Sequence, residues 1–242
     1  MESNTIWSFP DRGNWATHDG KYRGNWSPYI VRNLLLRYSF PGDLVLDQFV
    51  GGGTTLVEAK LLNRNAIGVD VNPAALQSCK EKCDFSYKTD SRVYIKRGDA
   101  RNLKFIPDST IDFVCTHPPY ADIIKYSEDI KEDISHFREK EFLLAMTQVA
   151  EESFRVLKLK KYCAILMGDI RKNGHVVSLG FKVMQEFQKA GFLLKEIIIK
   201  EQHNCKSTTY WKQKSKKCNF LLLAHEYLFV FEKGRLAEKH ET

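Results

Sequence analysis

The stretch LDQFVGGGTTLVEA, residues 46–59, decides the fold of this chain. A short apolar run predicts a buried strand, three consecutive glycines at positions 51–53 break it, and TLVEA continues as a helix. Glycines let the backbone turn sharply and bring a ligand close to the N-terminus of that helix. The stretch therefore predicts a strand, a turn and a helix with a ligand site at the turn, although a glycine-rich turn can also be purely structural. It is not a phosphate-binding loop, because no Gly-Lys-Ser/Thr follows it, and it does not have the spacing GxGxxG.

Strands and helices alternate on both sides of this unit. Further strands are predicted at AIGVDVN (66–72), VYIKRGDA (93–100), IDFVCTH (111–117), YCAILMGDI (162–170), LLKEIIIK (193–200) and HEYLFVFEK (225–233), and helices at 27–39, 55–65, 73–85, 141–158 and 180–192. This alternation predicts an α/β fold with an open, mostly parallel sheet that carries helices on both faces. No helix is predicted between the last two strands, so we expect them to pair antiparallel.

The composition narrows the class of protein. A chain of 242 residues can build one sizeable core, and its net charge of +7 favours an anionic partner such as nucleic acid. The six cysteines form no CxxC pair, no apolar run approaches the length of a membrane span, and the first residues lack a signal-peptide core. We expect one cytoplasmic domain over residues 1–242, with no membrane partner and no metal, since His203, Cys205, Cys218 and His225 fit no common zinc spacing.

Acidic residues end two further strands of the predicted sheet. Asp70 ends the strand that follows the glycine turn, about twenty residues on, where a carboxylate can accept hydrogen bonds from a ribose. Asp99 and Ala100 end the next strand, in KRGDAR (96–101). Ligands of open α/β sheets bind at the carboxyl edge, so three neighbouring strand ends with such features predict one binding site.

Four motifs in this order resemble those of a known family. DQFVGGGTT, GVDVN, GDA and THPPY are similar to the motifs of the amino-group DNA methyltransferases, which use S-adenosyl-L-methionine to methylate cytosine N4 or adenine N6. The upstream GNWSPYIVRNLLLRYS (24–39) and the closing HEYLFVFEK also resemble these enzymes, and the resemblance covers residues 20 to 233. It implies a Rossmann-like, seven-stranded, mostly parallel sheet with one antiparallel strand, the class I methyltransferase fold.

The resemblance also implies how the cofactor is held. Asp47 and the glycine turn would hold the methionine moiety, Asp70 the ribose, and Asp99 the amino group of the adenine. The full set of cofactor-binding residues implied is Trp26, Ser27, Pro28, Asp47, Phe49, Gly51, Gly53, Thr54, Thr55, Asp70, Val71, Asp99 and Ala100.

The corner THPPY is the catalytic motif in this interpretation, with His117, Pro118, Pro119 and Tyr120 as its residues. The lone pair of an exocyclic amine is delocalised into its ring, and acceptors on the N–H groups favour the form that can attack a methyl group. The Pro118 carbonyl can be such an acceptor, and Tyr120 can stack on a base that has left the duplex. The family usually has Asp, Asn or Ser at the first position. A neutral His117 can still accept one hydrogen bond and a protonated one cannot, or His117 is only a turn residue.

Two segments, residues 121–139 and 200–220, are candidates for contact with DNA or for closure over the base. Residues 1–25 are predicted to form a lead-in segment before the first helix. Residues 195–218 hold seven lysines and two glutamates, which suits phosphates, although a solvated loop has the same composition. The predicted DNA-binding residues are Lys206, Tyr210, Trp211, Lys212 and Lys214.

The substrate stays open at the level of sequence. Thr116 before the Pro-Pro-Tyr frame favours cytosine N4, and adenine N6 is the alternative. An RNA or protein methyltransferase of the same fold, or an inactive nucleic-acid-binding subunit, also fits. The partners that the resemblance suggests are double-stranded DNA, a cognate restriction endonuclease or second methyltransferase, and a second copy of the chain.

Overall fold

The computed structural model describes residues 1–22, 24–121, 126–203 and 208–234. Its α-helices are α1 (Pro28–Tyr38), α2 (Thr54–Leu61), α3 (Pro73–Cys83), α4 (Glu139–Val156), α5 (Leu179–Lys189) and α6 (Thr208–Lys217). Its strands are β1 (Ile6–Trp7), β2 (Leu44–Asp47), β3 (Asn65–Asp70), β4 (Val93–Arg97), β5 (Ile111–Thr116), β6 (Leu157–Met167), β7 (Ile170–Lys172), β8 (His175–Val177), β9 (Phe192–Glu201) and β10 (His225–Lys233). A 3₁₀ helix spans Ile134–His136.

The main sheet has the order β1-β9-β10-β6-β5-β2-β3-β4. Only β10 runs antiparallel to its neighbours β9 and β6, and the other pairs of this sheet are parallel. The predicted mostly parallel sheet with one antiparallel strand is therefore confirmed. The sheet has eight strands instead of seven, because the lead-in adds the two-residue strand β1 beside β9.

Helices cover both faces of the sheet and form two apolar cores. One core lies between the sheet and α4 and α5, and the other lies between the sheet and α1, α2 and α3. Strand β10 shows the division, since Phe229 and Phe231 enter the first core while Leu228 and Val230 enter the second. Successive side chains of a strand point to opposite faces, so a strand covered on both sides is apolar throughout.

Local capping sets where two of the helices begin, as the sequence predicts. The hydroxyl of Ser27 accepts a hydrogen bond from the backbone of Tyr29 at 3.3 Å, and Pro28 takes the first helical position of α1. Asn72 caps α3 in the same way, with Pro73 at its first position. Proline has no N–H to lose at that position, so these pairs start a helix with no unsatisfied donor there.

Two expectations about the second half of the chain are wrong. Helix α6 lies between the last two strands, where no helix was predicted, because its lysines show no apolar stripe from which a helix can be recognised. The strand predicted at 162–170 ends at Met167, and the chain then forms the separate hairpin β7–β8. Among the residues that the structure describes, no helix is long and apolar enough to cross a membrane.

Candidate functional site

The glycine turn after β2 is tied to the neighbouring strand by one buried carboxylate. Asp47 is 2% exposed and accepts hydrogen bonds from the hydroxyls of Thr55 at 2.5 Å and Thr116 at 2.7 Å, and from the backbone of Phe49 at 3.1 Å. Burial raises the pKa of Asp47 to about 6, against the opposing effect of these hydrogen bonds. Because Thr116 ends β5, Asp47 joins the turn to the strand that leads into the Pro-Pro-Tyr corner.

Two positions of the turn need glycine. A Cβ on Gly52 would lie 2.7 Å from Nδ2 of Asn25, which packs directly on the backbone of the turn. Gly53 has a φ of 86°, and a Cβ there would lie 2.8 Å from Sγ of Cys79. A larger residue at either position would displace the lead-in or α3.

Carboxylates stand at the next two strand ends, as the sequence predicts. Asp70 accepts hydrogen bonds from the backbone of Gly51 at 3.0 Å and of Asn72 at 2.9 Å. Burial raises the pKa of Asp70, and these bonds oppose the rise. Asp99 forms a two-pronged ion pair with Arg101, whose Nη2 lies 2.6 Å from Oδ2 and whose Nε lies 3.0 Å from Oδ1.

The corner after β5 holds a neutral histidine. Burial lowers the pKa of His117 to about 4; Lys200 and Arg12 act in the same direction, whereas Glu226 and a hydrogen bond to the backbone of Gly24 oppose it. At neutral pH the imidazole is therefore uncharged and keeps one nitrogen that can accept a hydrogen bond. Its ring lies 5.7 Å from that of Trp26, centroid to centroid, at 33°.

The hydroxyl of Tyr120, the other ring of the corner, is held by residues outside the cleft lining and by His117. The hydroxyl of Tyr120 lies 3.2 Å from Nε2 of His117 and donates a hydrogen bond to Oε1 of Glu226 at 2.6 Å. Burial, together with the charge of Glu226, raises the pKa of Tyr120, so the phenol keeps its proton. Glu226 belongs to β10, and sequence reasoning did not select it, since a lone glutamate at a strand start has no signature.

These strand ends and the corner enclose one cleft, of about 740 Å³ including space open to solvent. It is lined by residues from all the strand ends described above, together with the lead-in and the segment before α4: Tyr22, Gly24, Asn25, Trp26, Gln48, Phe49, Val50, Gly51, Asp70, Val71, Asn72, Gly98, Asp99, Ala100, Arg101, His117, Pro119, Tyr126, Glu132, Asp133 and Ile134.

The lining of the cleft includes some of the residues predicted to bind the cofactor or to act in catalysis and does not include others. Those that line it are Trp26, Phe49, Gly51, Asp70, Val71, Asp99 and Ala100, and of the catalytic corner His117 and Pro119. Those outside the lining are Ser27, Pro28, Asp47, Gly53, Thr54, Thr55, Pro118 and Tyr120. In the structure, Ser27 caps α1 and Asp47 braces the turn, so both shape the wall from behind.

The lead-in forms a wall of the cleft, a position that sequence reasoning did not predict because the segment has no periodicity. It is fastened by Glu58, a fully buried residue of α2 that accepts hydrogen bonds from Trp15 at 2.6 Å, His18 at 2.8 Å and Arg32 at 3.1 Å. Within the described part of the chain, the buried Nδ2 of Asn25 has no hydrogen-bond partner. A buried donor without a partner in a cleft is suited to a ligand that brings an acceptor.

The segment before α4 closes the opposite side of the cleft. The side chain of Asn72 donates a hydrogen bond to the carbonyl of Tyr126 at 2.8 Å, and the ring of Tyr126 is stacked on that of Tyr22 at 6.4 Å. Asp133 is 5% exposed and lines the cleft beside Ile134. The described part of 121–139 thus lies over the ends of β3 and β4, and the closure over a base that was predicted for it stays a prediction.

Helix α6 carries aromatic rings and lysines into solvent. Tyr210 is 58% exposed and Trp211 42% exposed, and Nζ of Lys214 lies 5.9 Å and 5.0 Å from the centres of their rings. Lys212 is also exposed, whereas the predicted Lys206 lies outside the described residues. Strand β9 is parallel to β5, so the segment that carries α6 leaves the sheet at the same edge as the cleft.

The chain is similar in sequence to known proteins. A family model for N6 and N4 methyltransferases, described as DNA methylase, matches residues 1–81 and 111–241. The tRNA (guanine(10)-N2)-dimethyltransferase of Methanothermobacter thermautotrophicus is 34% identical over 101 residues, which are 41% of this chain and 29% of that protein. The Type II methyltransferase M.HpaI of Haemophilus parainfluenzae is 27% identical over 119 residues, which are 49% of this chain and 37% of that protein.

Solved structures share the fold. A SAM-dependent methyltransferase of Methanosarcina mazei superposes with a TM-score of 0.58 at 14% identity, covering 83% of this chain and 97% of that one. The stretches of this chain that match the two curated relatives span well under half of those proteins' length, 29% and 37%.

Proposed function

The chain belongs to the DNA methylase family of N6 and N4 amino-methyltransferases, and on this premise we propose that it methylates an exocyclic amine of a base in double-stranded DNA. Its cofactor is S-adenosyl-L-methionine, in agreement with the family and with the SAM-dependent enzyme of the same fold. The observation that carries the proposal is that Asp70, Asp99 and the corner around His117 line one cleft.

The residues of the cleft fit this cofactor. Asp70 and Asp99 offer carboxylates to hydroxyl and amino groups, and the unpartnered amide of Asn25 offers a donor to a carboxylate. Of the glycine turn, Gly51 lines the cleft, so a ligand there can approach the backbone just before the N-terminus of α2. When bound, S-adenosyl-L-methionine supplies an electrophilic methyl group on a sulfonium.

The corner residues act on the amine. The Pro118 carbonyl and the free nitrogen of the neutral His117 ring accept hydrogen bonds from its two N–H groups, which favours the pyramidal form with a directed lone pair. Because the prolines and the surrounding fold fix these acceptors in advance, little reorganisation is needed at the moment of reaction. The ring of Trp26, which lines the cleft beside His117, suits a base turned out of the duplex, whereas stacking on Tyr120, which lies outside the lining, stays a prediction.

For the target base we propose cytosine N4, on the basis of Thr116 ahead of the Pro-Pro-Tyr frame. Contact with DNA is assigned to α6, whose exposed lysines, with the predicted Lys206 in the adjoining segment, suit phosphates and whose exposed rings suit bases. The setting that we propose is a cytoplasmic restriction–modification system, with a cognate endonuclease or second methyltransferase, and a second copy of the chain, as partners. A tRNA substrate is the second candidate, since a relative that shares 101 aligned residues is named a tRNA dimethyltransferase.

The test uses the purified chain, S-adenosyl-L-methionine with a deuterated methyl group, and either unmethylated genomic DNA or unmodified tRNA. Digestion to nucleosides and mass spectrometry should find labelled N4-methylcytosine in the DNA, and the variant Asp70→Ala should yield none. Labelled N6-methyladenine would reverse the choice of base, and label only in tRNA would replace the substrate. Cofactor binding by calorimetry without transfer to either polymer would identify an inactive nucleic-acid-binding subunit.

A further inference from the structure

A buried ion pair stands behind the catalytic corner. Glu226, the second residue of β10, is 8% exposed and is the cross-strand partner of Lys200 on β9, whose Nζ lies 2.8 Å from its Oε2. Burial acts to raise the pKa of Glu226, but the charge of Lys200 and the hydrogen bonds from Lys200 and Tyr120 outweigh it and lower the pKa. Glu226 is therefore ionised at neutral pH, inside the protein and beside the site.

The pair is linked to the wall of the cleft by hydrogen bonds. The other carboxylate oxygen, Oε1, accepts the hydroxyl of Tyr120 at 2.6 Å, and that hydroxyl lies 3.2 Å from Nε2 of His117. Three contacts thus lead from the ammonium of Lys200 to an imidazole that faces the ligand space.

The direction of these hydrogen bonds decides where the imidazole carries its proton. A phenol has one proton, and since Tyr120 donates it to Glu226, the Tyr120 oxygen can only accept from His117. The ring nitrogen Nε2 then holds the proton, and Nδ1 is the nitrogen with a free lone pair. The backbone of Gly24 also accepts a hydrogen bond from this ring. A neutral imidazole has one proton to donate, so Gly24 and Tyr120 compete for it.

We propose that Glu226, held by Lys200, is a positioning residue that selects the Nε2–H tautomer of His117 through Tyr120 and so leaves Nδ1 as the acceptor for the target amine. This role rests on the proposed function, and Glu226 itself touches no substrate. It accounts for a charged pair at the start of β10 that the binding of cofactor and DNA does not require.

The variant Glu226→Gln should reverse the direction of the hydrogen bonds that join residue 226, Tyr120 and His117. The ammonium of Lys200 has only donors, so the amide oxygen of the new side chain will face it and the NH₂ group will face Tyr120. The hydroxyl of Tyr120 then receives a hydrogen bond from the amide and turns its own proton toward Nε2 of His117. The ring proton moves to Nδ1, and the free acceptor for the amine is lost.

The primary readout is nuclear magnetic resonance of protein with labelled histidine, because ring carbon and nitrogen shifts differ between the two neutral tautomers. The variant His117→Asn identifies the signals of His117 among the seven histidines. In Glu226→Gln these signals should change from the Nε2–H to the Nδ1–H pattern. Methyl transfer should fall about tenfold to a hundredfold, as for loss of a charge-assisted hydrogen bond, while affinity for S-adenosyl-L-methionine stays within about twofold.

A matched control lies on the same two strands. Glu232 of β10 and Lys195 of β9 form an ion pair near the other end of the sheet, with 3.8 Å between Nζ and Oε2. Glu232→Gln should alter neither the His117 signals nor the rate. The variant Tyr120→Phe gives a second test that leaves the ion pair intact, and it should also remove the Nε2–H preference, with no further loss of rate when combined with Glu226→Gln.

Unchanged His117 signals in both Glu226→Gln and Tyr120→Phe would overturn the proposal, and so would losses that multiply in the double variant. A lower melting temperature with an unaltered tautomer would mean that Glu226 only stabilises the fold. If the unaltered chain methylates no nucleic acid, the proposed function fails. The tautomer measurement needs no turnover and still decides the role of Glu226.

Discussion

Replacing Asp47 by Asn should change how the stability of the protein depends on pH. Asp47 is held between the glycine turn and β5, and its pKa is raised by burial to about 6 from an ordinary value of 3.8. A carboxyl whose pKa is raised on folding stabilises the folded state fully below the unfolded pKa, and this stabilisation is lost as the pH rises through the folded pKa. The shift of about two pKa units corresponds to about 3 kcal/mol in the free energy of unfolding.

Asparagine has the same shape and does not titrate. The free energy of unfolding of Asp47→Asn, minus that of the unaltered protein, should therefore increase by about 2.5 kcal/mol between about pH 4 and about pH 7. Only this change with pH carries the prediction, because the constant part of the difference also contains rearranged hydrogen bonds to Thr55 and Thr116. Urea denaturation followed by tryptophan fluorescence and circular dichroism, at several pH values, measures it.

Asp112 supplies the control with the opposite sign. Burial acts to raise its pKa, but hydrogen bonds from Lys158, the Leu44 backbone and Lys161 and the charge of Lys161 outweigh it, so the pKa is lowered. Its contribution is present above the unfolded pKa and lost as the pH falls, so the corresponding difference for Asp112→Asn should decrease with rising pH. A difference for Asp47→Asn that stays flat within about 0.5 kcal/mol, or falls with pH, would refute the argument about its burial.

Three further outcomes are expected. Glu58→Gln should lower the free energy of unfolding by about 1–3 kcal/mol and weaken cofactor affinity, measured by melting and calorimetry, because an amide has one acceptor oxygen and its NH₂ group then faces one of the donors Trp15, His18 and Arg32; unchanged affinity would show that the lead-in does not depend on the carboxylate. Lys212→Ala and Lys214→Ala should each weaken DNA binding and reduce by about 1 the slope of the logarithm of the binding constant against the logarithm of the salt concentration. The control Lys80→Ala, on the exposed face of α3, should change neither quantity. The rate of methyl transfer should show no inflection near pH 6.5 from His117, because its pKa of about 4 keeps the ring neutral above pH 5 and the acceptor is lost only as the pH falls through 4; an inflection near 6.5 that His117→Asn removes would contradict this.

Much of the fold could be predicted from short stretches. The glycine turn at 51–53 and the carboxylates Asp70 and Asp99 stand at consecutive strand ends in the sequence, and parallel strands bring their carboxyl ends to one edge. Gly51, Asp70 and Asp99 line the same cleft, whereas Gly52, Gly53 and Asp47 lie outside its lining. Pairs such as Ser27 with Pro28 mark helix starts by chemistry that acts within a few residues.

Other features could not be predicted because they have no local pattern. The lead-in has neither helical nor strand periodicity, and its hydrogen bonds to distant residues such as the buried Glu58 fasten it as a wall of the cleft. Helix α6 has no apolar stripe, so its lysines looked like those of a solvated loop. Asn25 at the glycine turn has no signal in sequence beyond its place just before α1.

The sequence by itself determined the alternation of strands and helices from α1 to β6, the turn with its neighbouring carboxylates, and the corner at His117, because each depends on residues close together in the chain. Only the tertiary structure decided that His117 is neutral and that Tyr120 donates to Glu226, 106 residues away. The physical reason is that protonation and the direction of a hydrogen bond depend on burial and on the charges nearby, and distant strands supply both.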